Sequence, residues 1–111
     1  MNPKYIQAQK EGKIPLEYLP WEVLIMDSVV HKHGADKYGV RNWRIDPILA
    51  STYEGAMMRH ILAWALGEDI DPDSGQPHLV HLRANCAVIL DAQAHGTLTD
   101  DRNRQQSGGV S

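Results

Sequence analysis

Three strongly apolar stretches, separated by polar connections that carry glycine, give the chain its pattern. The first follows Pro20, a residue suited to a helix's opening turn because its missing N–H is not needed there. The spacing predicts a helix from Trp21 to His33, stopped by Gly34. On a helical wheel Leu24, Asp27 and His31 share one stripe, and Trp21, Ile25 and Val29 share another. Asp46-Pro47 joins an N-cap residue to a proline at the first helical position, which predicts a second helix running to Leu66 and ending at Gly67. A third opens at Pro77 and ends near His95, with Gly96 as its cap.

The second and third helices are apolar or small around most of their circumference. One carries Ala50, Ala56, Met57, Met58, Leu62, Ala63 and Ala65, the other a run from Leu79 to Leu90 broken by few polar residues. Helices of that kind are buried on several sides. Three of them cannot hide so much surface within 111 residues. The expected fold is therefore all-α, a small helical bundle completed by oligomerisation, as a dimer or tetramer whose second and third helices pack across subunits.

The flanks differ in character. Residues 1–13 are polar and are expected to form a flexible N-terminus, while 97–111 turn polar and glycine-rich and are expected to form a disordered tail. Between them, 14–96 reads as one helical domain. Its first segment, Ile14 to Pro20, is expected to lie extended against the core, and Gly34 to Arg44 reads as a structured loop or broken helix.

An apolar content of 42% fits a globular chain rather than a disordered one. A net charge of −3 argues against a nucleic-acid polymer as partner. There is no apolar run of membrane length, and the polar first residues do not make a signal peptide. Cys86 stands alone and cannot form an intrachain disulfide, which points to a reducing, cytoplasmic setting.

Chemistry concentrates between Gly67 and Asn85. Asp69, Asp71 and Asp73 alternate like the start of a calcium loop, but the glycine comes one place late, at Gly75, and Val80 stands where a bidentate glutamate is needed. An EF-hand is excluded. The carboxylates suit Mg²⁺ or Mn²⁺ shared with substrate phosphates, or else a solvated acidic turn. His78, His81 and Asn85 recur at helical spacing on a stripe roughly 60° wide. They form either a metal or phosphate site or a helix cap with satisfied backbone partners. His60, beside Tyr53, Ala56 and Ala63, reads alone as a core histidine. It approaches His81 if the two apolar helices are antiparallel neighbours. Asp27 and His31 are either a helical side-chain pair or ligands. Lys37, Arg41, Asn42 and Arg44 suit phosphate, with Trp43 or Tyr38 to stack a base, although charges beside aromatics also make ordinary surface. Nothing matches a P-loop, a Ser/His/Asp triad or a Cys/His zinc finger.

Four stretches in order carry a family resemblance: Gly12-Lys-Ile-Pro-Leu-Glu-Tyr-Leu-Pro20, Gly34-Ala-Asp-Lys-Tyr-Gly-Val-Arg-Asn-Trp43, Arg59-His-Ile-Leu-Ala-Trp64, and Gly67 through His81 with Asn85. Over about residues 12–95 the chain resembles the N-terminal domain of phage dATP/dGTP diphosphohydrolases, a group similar to the MazG-like all-α pyrophosphohydrolases. The resemblance implies hydrolysis of a purine dNTP to dNMP and pyrophosphate, with Mg²⁺ or Mn²⁺ between antiparallel helices, in viral nucleotide metabolism within a host cytoplasm. MazG-like enzymes generally carry Glu-x-x-Glu and Glu-x-x-Asp, whereas this chain offers Arg59-His60 and His78-x-x-His81 at comparable places. Imidazole suits softer ions such as Mn²⁺, Zn²⁺ or Co²⁺ better than Mg²⁺. The expected roles are Asp69, Asp71 and His60 in catalysis, and His78, His81, Asp71 and Asp27 on the metal. Lys37, Arg41, Asn42, Trp43 and Asn85 are expected on the substrate. The alternative is a helical oligomer that binds nucleotide without cleaving it, or serves only as structure.

Overall fold

Pro20 opens the longest helix where its chemistry places it, and the helix then runs straight through the predicted stop at Gly34. The computed structural model describes residues 1–103, and its longest helices are α2 (Trp21–Tyr38), α3 (Ala50–Ala65) and α4 (His78–Ala94), preceded by a short α1 (Pro3–Lys10). A glycine inside a helix costs only about 1 kcal/mol relative to alanine, and the good helix formers beyond Gly34 outweigh it. A Lys32–Asp36 pair at 2.8 Å braces that turn. The stop falls instead at Gly39, whose φ of 94° few other residues tolerate and whose N–H reaches the Ala35 carbonyl at 2.8 Å. The segment read as a broken helix is thus helical to Tyr38, followed by one 3₁₀ turn at Asn42–Arg44.

Asp46-Pro47 does not start α3. The chain stays extended through Ile48–Leu49 (β1), which pairs in parallel with Leu98–Thr99 (β2) before α3 begins at Ala50. Leu49 offers no capping side chain. Asp101 supplies the cap from the far end of the sequence: its carboxylate accepts the Ser51 N–H at 2.8 Å and the Ser51 hydroxyl. That contact and the β1–β2 pairing hold residues 97–101, the start of the segment expected to form a disordered tail, against the body. Residues 104–111 lie outside the described range. At the other end, within the segment expected to be a flexible terminus, α1 is helical and has no buried residue, with Asn2 capping the Lys4 N–H at 2.8 Å. Residues 14–20 form an exposed arm around a 3₁₀ turn at Leu16–Tyr18 instead of packing on the core.

The core joins α2, α3 and α4. Antiparallel packing of α3 on α4 follows from three pairings that run in opposite senses: His60 with His78, Met57 with Cys86, and Ile48 with Leu98. Buried Val80, Ala84, Val88 and Ala92 recur every four residues along α4, and Val30 of α2 closes on the first two. Arg83 clamps α4 to α2 by donating two hydrogen bonds to Asp27, at 2.9 and 2.8 Å. Helix α3 has two unlike sides. Tyr53, Ala56, His60 and Ala63 are half-buried, whereas Met58, Ile61, Leu62 and Leu66, on the opposite side of the wheel, are exposed. No large side chain among the described residues is fully buried. No helix among them is long and apolar enough to cross a membrane.

Candidate functional site

The connection from α3 to α4 folds back on itself and so fixes one carboxylate. Gly67, at φ 99°, turns the chain out of α3. Asp71 then closes a tight loop: its N–H donates to the Gln76 carbonyl at 2.9 Å, and its own carbonyl accepts the Gly75 N–H at 2.8 Å. Ile70 bridges Pro77 across the base of the loop. Of the Asp71 carboxylate oxygens, Oδ1 accepts the Asp73 N–H at 2.9 Å. The other, Oδ2, faces inward, 4.0 Å from His60 Nδ1 and 3.8 Å from His81 Nε2.

Two imidazoles face this oxygen, and a third, His78, joins them through His60. His60 Nδ1 lies 2.9 Å from His78 Nδ1, and His78 Nε2 lies 2.7 Å from Glu68 Oε1. The partners settle the tautomers. A carboxylate accepts only, so His78 carries its proton on Nε2 and accepts on Nδ1, and His60 donates from Nδ1. His78 is buried, and its carboxylate partner is the outer-shell group that commonly orients a ligating histidine. The ring of His81 stacks on that of His60, with centroids 4.7 Å apart and planes 2° from parallel. Ser74 Oγ approaches His81 Nε2 at 2.6 Å. Burial pushes the pKa values of His60 and His81 below the ordinary histidine range. The Asp71 carboxylate opposes that shift in both, and neighbouring cationic forms add to it. Donor atoms of His60, Asp71 and His78 lie within 4.8 Å of one another, a spacing at which three ligands can share one ion.

A cleft of about 770 Å³ runs from this cluster along α4. His60, Asp71 and His81 line one end, and Lys37, Arg41, Asn42, Trp43 and Asn85 line the remainder. The fold thus brings eight expected site residues to one cavity, with His78 directly behind them. Two expected residues are elsewhere. Asp27, expected on the metal, is taken by Arg83, since both its oxygens accept from that guanidinium. Asp69, expected in catalysis, is exposed and contributes its backbone carbonyl to the His78 N–H at 2.9 Å. Glu68, Ser74 and Asp91 also serve the cleft without a signal of their own in the sequence. The first two lie in the same dense stretch but only the loop's fold aims them, and Asp91 is 47 residues from its partner Arg44.

Fold and site together define a small helical chain with an imidazole–carboxylate cluster at one end of a cationic, aromatic cleft. It belongs to the family described as dATP/dGTP diphosphohydrolase, N-terminal, whose model matches residues 3–102. No curated protein and no solved structure matches the chain.

The depressed histidines carry a stability signature. Because the folded state resists protonating His60 and His81, the unfolded chain binds more protons once the pH drops below the ordinary histidine value of about 6.5. Their contribution is present above that value and is lost as the pH falls through the depressed ones. The urea midpoint should therefore drop between about pH 7.5 and pH 5. In a His60→Gln, His81→Gln double variant the drop should be smaller. A midpoint that holds or rises on acidification contradicts this electrostatic picture.

Proposed function

We propose that the chain is a metal-dependent hydrolase that cleaves purine deoxynucleoside triphosphates to the monophosphate and pyrophosphate. The observation that carries the reading is the His60–Asp71–His78 cluster opening onto a cleft lined by Lys37 and Arg41. The donor set fits a divalent ion: two imidazoles and a carboxylate, one imidazole already oriented by Glu68. Two nitrogen donors favour Mn²⁺, Co²⁺ or Zn²⁺ over Mg²⁺. When bound, such an ion would neutralise phosphate charge and acidify a water. His60, Asp71 and His78 would hold it. His81, kept neutral at pH 7 by its burial, is available to take a proton. Lys37 and Arg41 balance charge on the phosphates, where hydrolysis of phosphoric anhydrides depends most on electrostatic support. Trp43 offers a flat wall to a purine, and Asn42 and Asn85 offer amides to the base or sugar.

Purified protein with Mn²⁺ should release pyrophosphate from dGTP or dATP. Glu68→Ala should slow turnover about 10–100-fold, as loss of an orienting group does, and His78→Ala should slow it further. Absence of turnover with any dNTP across Mg²⁺, Mn²⁺, Co²⁺ and Zn²⁺ would sink the reading. Calorimetric binding of dNTP without cleavage would leave a nucleotide-binding module in its place.

We also propose that the working form is a homo-oligomer joined through the outer side of α3. Met58, Ile61, Leu62 and Leu66 make an exposed apolar stripe there, flanked by Glu54 and Arg59, and the arm adds exposed Ile14 and Leu16. The chain exposes 8606 Å², about 2,500 Å² more than the roughly 6,100 Å² expected of a compact monomer of its mass. The eight residues outside the described range can add no more than about 1,200 Å² to that figure, the entire surface of an unfolded chain of their mass. The remainder still exceeds the ~800 Å² per partner of a standard interface. Light scattering on the eluted protein should give a mass at least twice that of the chain, and Leu62→Glu should reduce it to the monomer. A monomeric wild-type protein at micromolar concentration contradicts this.

A further inference from the structure

The cleft is roughly 15 Å long between His81 and Asp91 at the helical rise of α4, and its far end is built differently from the histidine end. There the 39–44 loop forms the wall. Arg41 takes a left-handed conformation, φ 51°, the only non-glycine residue to do so among those described. Such a backbone is strained for a β-carbon-bearing residue and persists only where surrounding contacts enforce it. The side-chain contacts of this loop converge on one carboxylate of α4. Asp91 accepts the Trp43 indole N–H at 2.7 Å, Arg44 Nε at 2.7 Å and Arg44 Nη2 at 2.8 Å. His95 Nδ1 lies 3.6 Å away on the next turn. The Arg44 guanidinium, and then the Trp43 indole, hold this carboxyl far below the usual carboxylate range. It therefore stays ionised under any ordinary condition.

We propose that Asp91 is a positioning residue that latches the 39–44 loop onto α4, and that the loop so fixed presents Trp43 as the surface on which the nucleobase rests. This rests on the nucleotide-hydrolase reading of the same cleft and adds its base-recognition end. The logic is one of freedom. An indole stacks a base on its face whatever the base's polar pattern, at a typical gain of about 1–3 kcal/mol, but only if the ring does not swing. Trp43 has its single polar atom tied to Asp91, so its orientation is set before ligand arrives, and binding need not supply that order. Arg44 takes up both carboxylate oxygens, which prevents the carboxylate from turning away. Chemistry at the histidine end makes no contact with this latch. Its removal should therefore weaken substrate capture more than turnover.

The test uses the full chain carrying Trp21→Phe and Trp64→Phe, so that Trp43 alone fluoresces. Asp91→Ala in that background should raise KM for dGTP with Mn²⁺ about tenfold, the factor expected when a charge-assisted anchor is lost, with kcat changed less than about threefold. Acrylamide quenching of Trp43 in ligand-free protein should rise. Asp91→Asn keeps an oxygen for the indole while losing the bidentate pair, and should lie between the two. Increased quenching with unchanged KM would overturn the proposal, because the loop would then be latched but would not hold the base. Unchanged quenching would overturn it too, because there would be no latch. If the wild-type protein neither binds nor hydrolyses any dNTP, the base-recognition claim fails with the hydrolase reading. The quenching of Asp91→Ala would then report the latch separately.

Discussion

Close approach of α3 to α4 is the constraint on which the other features depend. Ala56 and Ala63 keep the inward side of α3 shallow, so the two backbones come together around His60. A buried imidazole must find a partner, and antiparallel pairing gives it His78 at 2.9 Å and the ring of His81 at stacking distance. The same geometry forces the connection from α3 to α4 to turn sharply, and that turn aims Asp71 at the imidazoles. Helix packing and the candidate metal centre are therefore one arrangement, and a bulkier residue at Ala56 or Ala63 would disturb both.

Charge explains why the cluster is histidine-rich. Four carboxylates packed this closely would repel one another without an ion, and the empty state would be costly. Two imidazoles joined by a hydrogen bond, with one carboxylate beside them and Glu68 behind, remain satisfied before any ion arrives. No buried polar side-chain atom among the described residues lacks a partner. To hold an ion through Nδ1, His60 would have to shift its proton to Nε2, a change of tautomer that releases none, so ion affinity would fall only where acid makes the imidazoles cationic.

Periodicity made much of this fold legible. The apolar wheels of the second and third helices placed α3 and α4 to within a few residues, and the all-helical character followed. Gly67 and Gly96 marked turns, but Gly34 did not, because neighbouring helix formers decide whether a single glycine interrupts. Asp46-Pro47 misled for a similar reason: the β1–β2 pairing with a segment 50 residues away outweighs a local start signal. The site divides in the same manner. His78, His81 and Asn85 could be read because one helix carries them all, and His60 joined them once the helices were taken as antiparallel. Glu68, Ser74 and Asp91 could not, since their aim depends on loop closure and on contacts between distant residues. The Arg83 hold on Asp27 is equally hidden, because nothing in the helix that carries Asp27 announces that partner.

The central claim is that His60, Asp71 and His78 form one ion-binding centre at the phosphate end of the cleft. A crystal soaked with Mn²⁺ and a non-hydrolysable dGTP analogue, read by anomalous scattering at the manganese edge, tests it most directly. The account predicts an anomalous peak bonded to these three side chains, with the analogue's phosphates between it and Lys37 and Arg41. A peak bound elsewhere, or an analogue seated in the cleft while the His60–His78 hydrogen bond persists without an ion, would contradict it.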